Sequence, residues 1–161
     1  MVQKFKASKD LIEHLYQLID QLHIQIIEQS GGERGIRDIG GLYHSINRVV
    51  NKIQKFREDP AKIACFCYKE FARRHHFNDG NKRTAHLVAN IALFLVGHQF
   101  NLNYKEATTI IIKLAAYDST ITDEQLLRWV KINLQPINSN DIRKYLKEII
   151  NKSNYGEKEN E

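Results

Sequence analysis

Apolar residues recur along this chain at the three-and-four spacing of helices that share a core. From Ser8, whose hydroxyl suits an N-cap, Leu11, Leu15, Leu18, Ile19, Leu22 and Ile26 form one stripe. Gly31-Gly32 supplies a stop signal, so a first helix is expected there. A second is expected from about Leu42 through Lys55, with Leu42, Ile46, Val49 and Ile53 on one face. Asp59-Pro60 joins an N-cap to a proline at the first helical position and opens a third, whose apolar face includes Ile63, Cys67 and Phe71. The stretch from Ala85 to about Val96 differs, because Leu87, Val88, Ile91, Ala92, Leu95 and Val96 cover more than one face, as befits a central helix surrounded by others. Asn103 with Glu106 and Thr122 with Gln125 have the spacing of capping boxes, opening helices through Tyr117 and Leu134. Pro136 interrupts the pattern, and Asn140 opens a last helix through Asn151. No run alternates over the length of a strand. At most the glycine-bearing segment from Gly32 to Gly41 forms a short hairpin that covers something. The expected class is all-α, a helical bundle around a buried central helix.

Composition narrows the class without naming a function. A chain of 161 residues, 42% hydrophobic and 27% charged, suits one ordinary globular domain. Two prolines and eight glycines exclude collagen-like and linker architectures. Cys65 and Cys67 are too few and too close for a disulfide framework. On a helix their spacing puts them on different faces, so they read as reduced thiols in or near the core. The first ten residues carry no apolar run of signal-peptide type, and the longest apolar stretch, Leu87 to Val96, contains Asn90 and is too short for a bilayer. A cytoplasmic protein with no membrane partner is expected. Lys+Arg 24 against Asp+Glu 19 leaves +5, a mild attraction to anions.

One segment stands apart from generic helical sequence: His75-His76-Phe77-Asn78-Asp79-Gly80-Asn81-Lys82-Arg83-Thr84. It places an imidazole, a carboxylate, a glycine, an ammonium and a guanidinium directly before an apolar helix. Free N–H groups at a helix N-terminus, together with the macrodipole, favour an anion there. Gly80 lets main chain approach a ligand, while Lys82 and Arg83 add a point charge and a planar fork for phosphate oxygens. Asp79 offers the hard oxygen that Mg²⁺ needs beside a polyphosphate, and His75 can accept a proton from an incoming hydroxyl. The parts point to phosphoryl or nucleotidyl transfer. Taken singly, the same residues also read as a helix cap, solvated cations and a loop histidine.

The pattern His75-x-Phe77-x-Asp79-Gly80-Asn81-Lys82-Arg83 resembles the signature of the Fic/Doc proteins, whose Fido fold is an all-α bundle. Upstream, Gly31-Gly32-x-x-Gly35-Ile36-Arg37-Asp38-x-Gly40 resembles the family segment that leads into and forms a substrate-docking flap. The resemblance covers roughly residues 8 to 134. It implies a Fido domain over 1–152 with an added C-terminal helix, leaving 153–161 as a polar tail expected to be disordered. It also implies roles. His75 is the general base on the target hydroxyl and Asp79 the Mg²⁺ ligand. Gly80, Asn81, Lys82 and Arg83 hold the phosphates, Phe77 anchors the loop in the core, and Gly35, Ile36, Arg37 and Asp38 form the flap.

Lys82 stands where the family's adenylyltransferases usually have glycine and where the Doc branch, the death-on-curing toxins of toxin–antitoxin pairs, has lysine. In that branch the γ-phosphate of ATP passes to a hydroxyl of elongation factor Tu and translation stops. The implied function is therefore a Doc-like toxin with ATP as co-substrate, Mg²⁺ as cofactor, a Ser/Thr of a protein such as elongation factor Tu as acceptor, and a separate antitoxin as partner. Two alternatives stay open. One is AMP transfer to a protein hydroxyl, to which Gly80 is suited because adenylyltransferases commonly have glycine there. The other is a non-catalytic helical module that binds nucleotide or nucleic acid, for which the net charge and Arg73-Arg74 speak, although no DNA-binding helix signature accompanies them. Other departures from the family pattern are His86, where many members carry a second arginine, and Tyr43, near where the flap helix often has glutamate. Ser153 to Glu157 matches the family's self-inhibitory motif only until Lys158 breaks it, so inhibition in cis is not expected. His76 is expected to face away from the site.

Overall fold

A computed structural model describes residues 8–102, 104–138, 140, 143 and 144. Six helices and one two-stranded sheet make up the named elements: α1 (Lys9–Ser30), α2 (Ile39–Lys55), α3 (Pro60–Arg73), α4 (Asn81–Leu95), β1 (His98–Phe100), α5 (Tyr104–Ala115), α6 (Asp123–Ile132) and β2 (Leu134–Pro136). The fold is an all-α bundle of the expected Fido type. Its starts follow the caps. The Ser8 hydroxyl accepts from Leu11 N at 3.1 Å, the Asp59 carboxylate accepts from Lys62 N, and Thr122 with Gln125 closes a complete capping box. Gly31, at φ 78°, returns its N–H to Ile27 O at 2.8 Å and ends α1.

The centre is a pair of helices. On α3, Ile63, Ala64, Cys67, Tyr68 and Phe71 are almost wholly buried; on α4, Ala85, Val88, Ala89, Ala92 and Leu93 are. The alanines allow close approach, and α2, α5 and α6 pack around α3 while α1 and α5 pack on α4. The all-round apolarity of α4 is only partly used, since Phe94 and Leu95 are 44% and 59% exposed. Both cysteines are free and buried in this core, as expected. Burial pushes the Cys65 thiol up to about 12 and raises Cys67 further still. No helix among the described residues is long and apolar enough to cross a membrane.

Several boundaries differ from the sequence pattern. α2 begins at Ile39, ahead of Leu42, because Asp38 caps it by accepting from Gly41 N at 2.8 Å. α4 begins at Asn81, ahead of Ala85, because polar first-turn residues add no apolar period. α5 and α6 end at Ala115 and Ile132, short of Tyr117 and Leu134. The glycine segment does not fold into a hairpin. Its last residues, from Ile39, join α2, and before them the segment is irregular with one bridge, from Ile36 to Phe77. The strand pairing lies instead between β1 and β2, with His98 opposite Pro136 and Phe100 opposite Leu134, a ladder too short for alternation to reveal. The Asn103 cap and most of the expected C-terminal helix and tail lie outside the described residues; of that segment only Asn140, Arg143 and Lys144 are described, and they are helical.

Phe71→Ala, in the α3–α4 interface, is expected to cost about 3–5 kcal/mol in urea unfolding, against within about 0.5 kcal/mol for Leu95→Ala on the open face of α4. Equal losses at the two positions would contradict this division of the core.

Candidate active site

The loop from His75 to Gly80 joins the two central helices, and its inward residues determine its course. The Phe77 ring is 1% exposed and stacks on His23 of α1, centroids 3.9 Å apart and planes 16° from parallel. His23 in turn places Nδ1 3.1 Å from the Thr84 hydroxyl on α4. Asn81, 8% exposed, accepts from Phe77 N at 3.0 Å and donates to Phe77 O at 2.9 Å, so its side chain closes the loop from within. His76 faces away from the site, as expected, and its Nε2 lies 2.8 Å from the Ser45 hydroxyl. Because that hydroxyl donates to Glu70 Oε1 at 2.8 Å, His76 must carry its proton on Nε2 and donate it to Ser45. The nearly buried Glu70 carboxylate also pairs with Arg48 at 2.9 Å and Arg74 at 2.8 Å.

The flap segment is tied to this loop by its main chain, through the isolated antiparallel bridge of Ile36 with Phe77. His76 O accepts from Arg37 N at 2.7 Å and from Asp38 N at 3.2 Å, and Asn78 N donates to Gly35 O at 2.9 Å. Asn78 Nδ2 adds bonds to Glu33 and to Arg34 O. Of the expected flap residues, Gly35 and Arg37 are exposed with their main chain bound, Ile36 is half-buried against the core, and Asp38 caps α2.

Outward from the loop stand His75, Asp79, Lys82 and Arg83. His75 is exposed and held at φ 50°, a left-handed conformation that non-glycine residues rarely adopt. Gly80 caps α4 at φ 74° with no side-chain cap bond, and the helical ladder begins only with Thr84 N to Gly80 O at 2.9 Å. A Cβ at Gly80 would come within 3.0 Å of Ile27 and 3.1 Å of His23, so glycine meets both the dihedral and the space. Gly32 lies against the half-exposed Asp79 carboxylate, where a Cβ would collide with Oδ2. Arg83 donates to the Ser30 hydroxyl and, at 3.0 Å, to Gly31 O, while its other terminal nitrogen lies 3.6 Å from Asp79. Lys82 is half-buried and forms no ion pair among the described residues.

The structure therefore gathers Asp79, Gly80, Lys82 and Arg83 at the N-terminus of α4, leaves His75 at the other end of the loop that leads into it, and turns Asn81's side chain inward. His23 and Glu70 went unread in the sequence. The signal for His23 was its place in the buried stripe Ile19, His23, Ile27; that for Glu70 was a carboxylate beside Phe71 on an apolar helix. Two departures from the family pattern are committed elsewhere. His86 Nδ1 shares a hydrogen bond of 2.7 Å with the Tyr68 hydroxyl in an aromatic cluster with Phe100, and burial pushes it down to about 4. Tyr43 donates to Glu13 and stacks on Tyr16, and that hydrogen bond raises its hydroxyl to about 12. No group of three or more His, Cys, Asp or Glu side chains converges on a metal position among the described residues. Asp79 is thus a single carboxylate, the usual protein contribution to an Mg²⁺ that keeps substrate phosphates and waters as its other ligands.

The Fic/DOC family model matches residues 13–93, a span that contains the flap, the loop and nearly all of α4. No curated protein matches the chain.

The buried histidines set an acid limit on stability. Burial lowers His23, His76 and His86, so each takes up its proton more readily in the unfolded chain. Stability is expected to be full above about pH 6.5 and to fall as pH drops, with His86 alone contributing about 3 kcal/mol of loss by pH 4. His86→Gln, followed by urea unfolding across this window, is expected to reduce the slope by up to about 1.4 kcal/mol per pH unit.

Proposed function

The chain belongs to the Fic/DOC family, and on that premise we propose that it is a protein-modifying transferase of the Doc type, passing the γ-phosphate of ATP to a protein hydroxyl. The observation that carries this reading is an α4 N-terminus that no side chain caps and that begins with Lys82 and Arg83 in its first turn, entered by a loop whose first residue is the exposed His75. His75 takes the proton of the acceptor hydroxyl as its oxygen bonds to the γ-phosphorus. The bond from that phosphorus to the bridging oxygen breaks, ADP leaves with the electron pair, and the proton stays on the imidazole. The α4 N–H groups, Lys82 and Arg83 hold the phosphate oxygens and offset the charge that builds on them. Asn81 contributes through its main-chain N–H, since its side chain is engaged by Phe77.

Asp79 is the residue that would hold Mg²⁺. Its carboxylate is half-exposed, and it packs into the space that the missing Cβ of Gly32 leaves for it. The ion, when bound with ATP, supplies charge neutralisation across the phosphates. Lys82 favours transfer of the terminal phosphate, because an ammonium in the first turn fills space that an α-phosphate would need. The Doc resemblance adds the biological setting: a cytoplasmic toxin, a Ser/Thr of a protein such as elongation factor Tu as acceptor, and a separate antitoxin as its control. AMP transfer is the second reading, and Gly80 is the residue that favours it.

Incubating the protein with elongation factor Tu and ATP labelled at either the γ or the α position separates the two readings. Label from the γ position supports phosphate transfer; label from the α position moves the protein to AMP transfer. His75→Ala is expected to slow labelling by about 10²–10⁴ while leaving ATP affinity within about twofold, whereas Arg83→Ala weakens both. Full activity in His75→Ala would remove its role as base.

A further inference from the structure

His75 also lines a groove that no role above uses. The groove, about 550 Å³, is walled by Arg73 at the end of α3, by Ala115 and Ala116 at the end of α5, and by Tyr117 and Ser119 in the turn beyond. Arg73 Nε donates to Leu114 O at 2.9 Å, which ties the two helix ends together and leaves the terminal nitrogens of the guanidinium without an ion pair among the described residues. Tyr117 stands fully exposed at the rim. The Ser119 hydroxyl is buried with no hydrogen-bond partner among the described residues. Aromatic, apolar and polar surface thus converge on the proposed base from the α5 side. The residues around Asp79 and Arg83, namely Ser30, Gly31 and Gly32, belong to the α1 side.

We propose that this groove docks the polypeptide segment that carries the acceptor hydroxyl, with an acidic residue of that segment on Arg73 and an apolar side chain against Ala116 and Tyr117. In-line displacement at phosphorus decides between target and nucleoside as the occupant. The attacking and leaving oxygens lie on opposite sides of the transferred group, so the acceptor enters from the side of the base and the nucleoside leaves from the other. The groove contains the base. Its open, half-polar form also suits an extended chain crossing it, whereas a nucleoside pocket encloses its ligand. The guanidinium, which makes no ion pair among the described residues although its charge helps hold the Asp123 carboxyl down, favours an acidic neighbour to the hydroxyl, and the exposed tyrosine supplies rigid contact area. The groove's lining includes none of the flap residues Gly35, Ile36, Arg37 and Asp38.

The inference rests on the transferase reading, and one experiment separates the two. A bacterial cell extract supplies acceptor proteins, labelled ATP the donor, and His75→Ala the blank. The wild-type protein, Tyr117→Ala, Arg73→Glu and Arg73→Lys are compared for initial labelling rate, each is titrated with a fluorescent ATP analogue, and the modified sites are mapped by mass spectrometry. Tyr117→Ala and Arg73→Glu are expected to label roughly tenfold more slowly or worse with ATP affinity within about twofold, while Arg73→Lys recovers most of the rate. Mapped sites are expected to carry Asp or Glu beside the modified hydroxyl. Unchanged labelling in both Tyr117→Ala and Arg73→Glu overturns the docking groove and leaves the transferase reading standing. A matching loss of ATP affinity assigns the groove to the nucleoside and overturns it as well. Labelling that is absent, or that survives His75→Ala, overturns the transferase reading itself.

Discussion

The stack of Phe77 on His23 is the contact from which the rest of the site follows. It joins the loop between α3 and α4 to α1, helices far apart in sequence, and such a ring pair contributes about 0.5–1.5 kcal/mol beyond the area it buries. With Phe77 pinned inward and Asn81 closed over its main chain, Asp79 is left facing outward beside Gly32. At Gly80 the positive φ calls for glycine and a Cβ would be crowded by Ile27 at 3.0 Å and His23 at 3.1 Å, and the helix that starts there has no side-chain cap. One buried ring pair therefore fixes the course of the loop and crowds the cap that follows it. It does so without touching the side chains proposed to do chemistry.

His75 is governed from the other side. Its positive φ costs on the order of 1–3 kcal/mol for a residue with a Cβ, and such a conformation persists only where neighbours over-determine it. Here both neighbours are tied to one carboxylate: Arg74 directly to Glu70, and His76 to Glu70 through Ser45. His76 also carries the flap on its carbonyl. The strained residue, the flap and α2 thus share a single buried anchor, which makes the direction of the imidazole a property of the core and not of the loop.

Much of this was legible in the sequence, and what was not has identifiable causes. Ser8, Asp59 and Thr122 announced helix starts because capping chemistry is local. Asp38 did not, because the glycines after it read as loop, although Asp38 caps a helix that begins on them. The loop residues His75, Asp79, Lys82 and Arg83 were recognisable by type and order, and the family match covers them. The inward turn of the Asn81 amide was not, since spacing along a loop says nothing about which way a short polar side chain turns. The β1–β2 ladder escaped because three-residue strands carry no period. His23 escaped because a histidine in an apolar stripe reads as core, which it is; only the partner on its far face gives it meaning.

The distribution of the site along the chain also bears on its synthesis. The ribosome releases α1 and the flap first, then α3, the loop and α4, and last the turn that holds Tyr117 and Ser119. Domains fold as their contacts emerge, and the Phe77–His23 stack can form once the loop itself has left the exit tunnel, before α4 is complete. The loop can therefore take its course while the groove beside His75, which needs the end of α5 and the turn beyond it, is still incomplete.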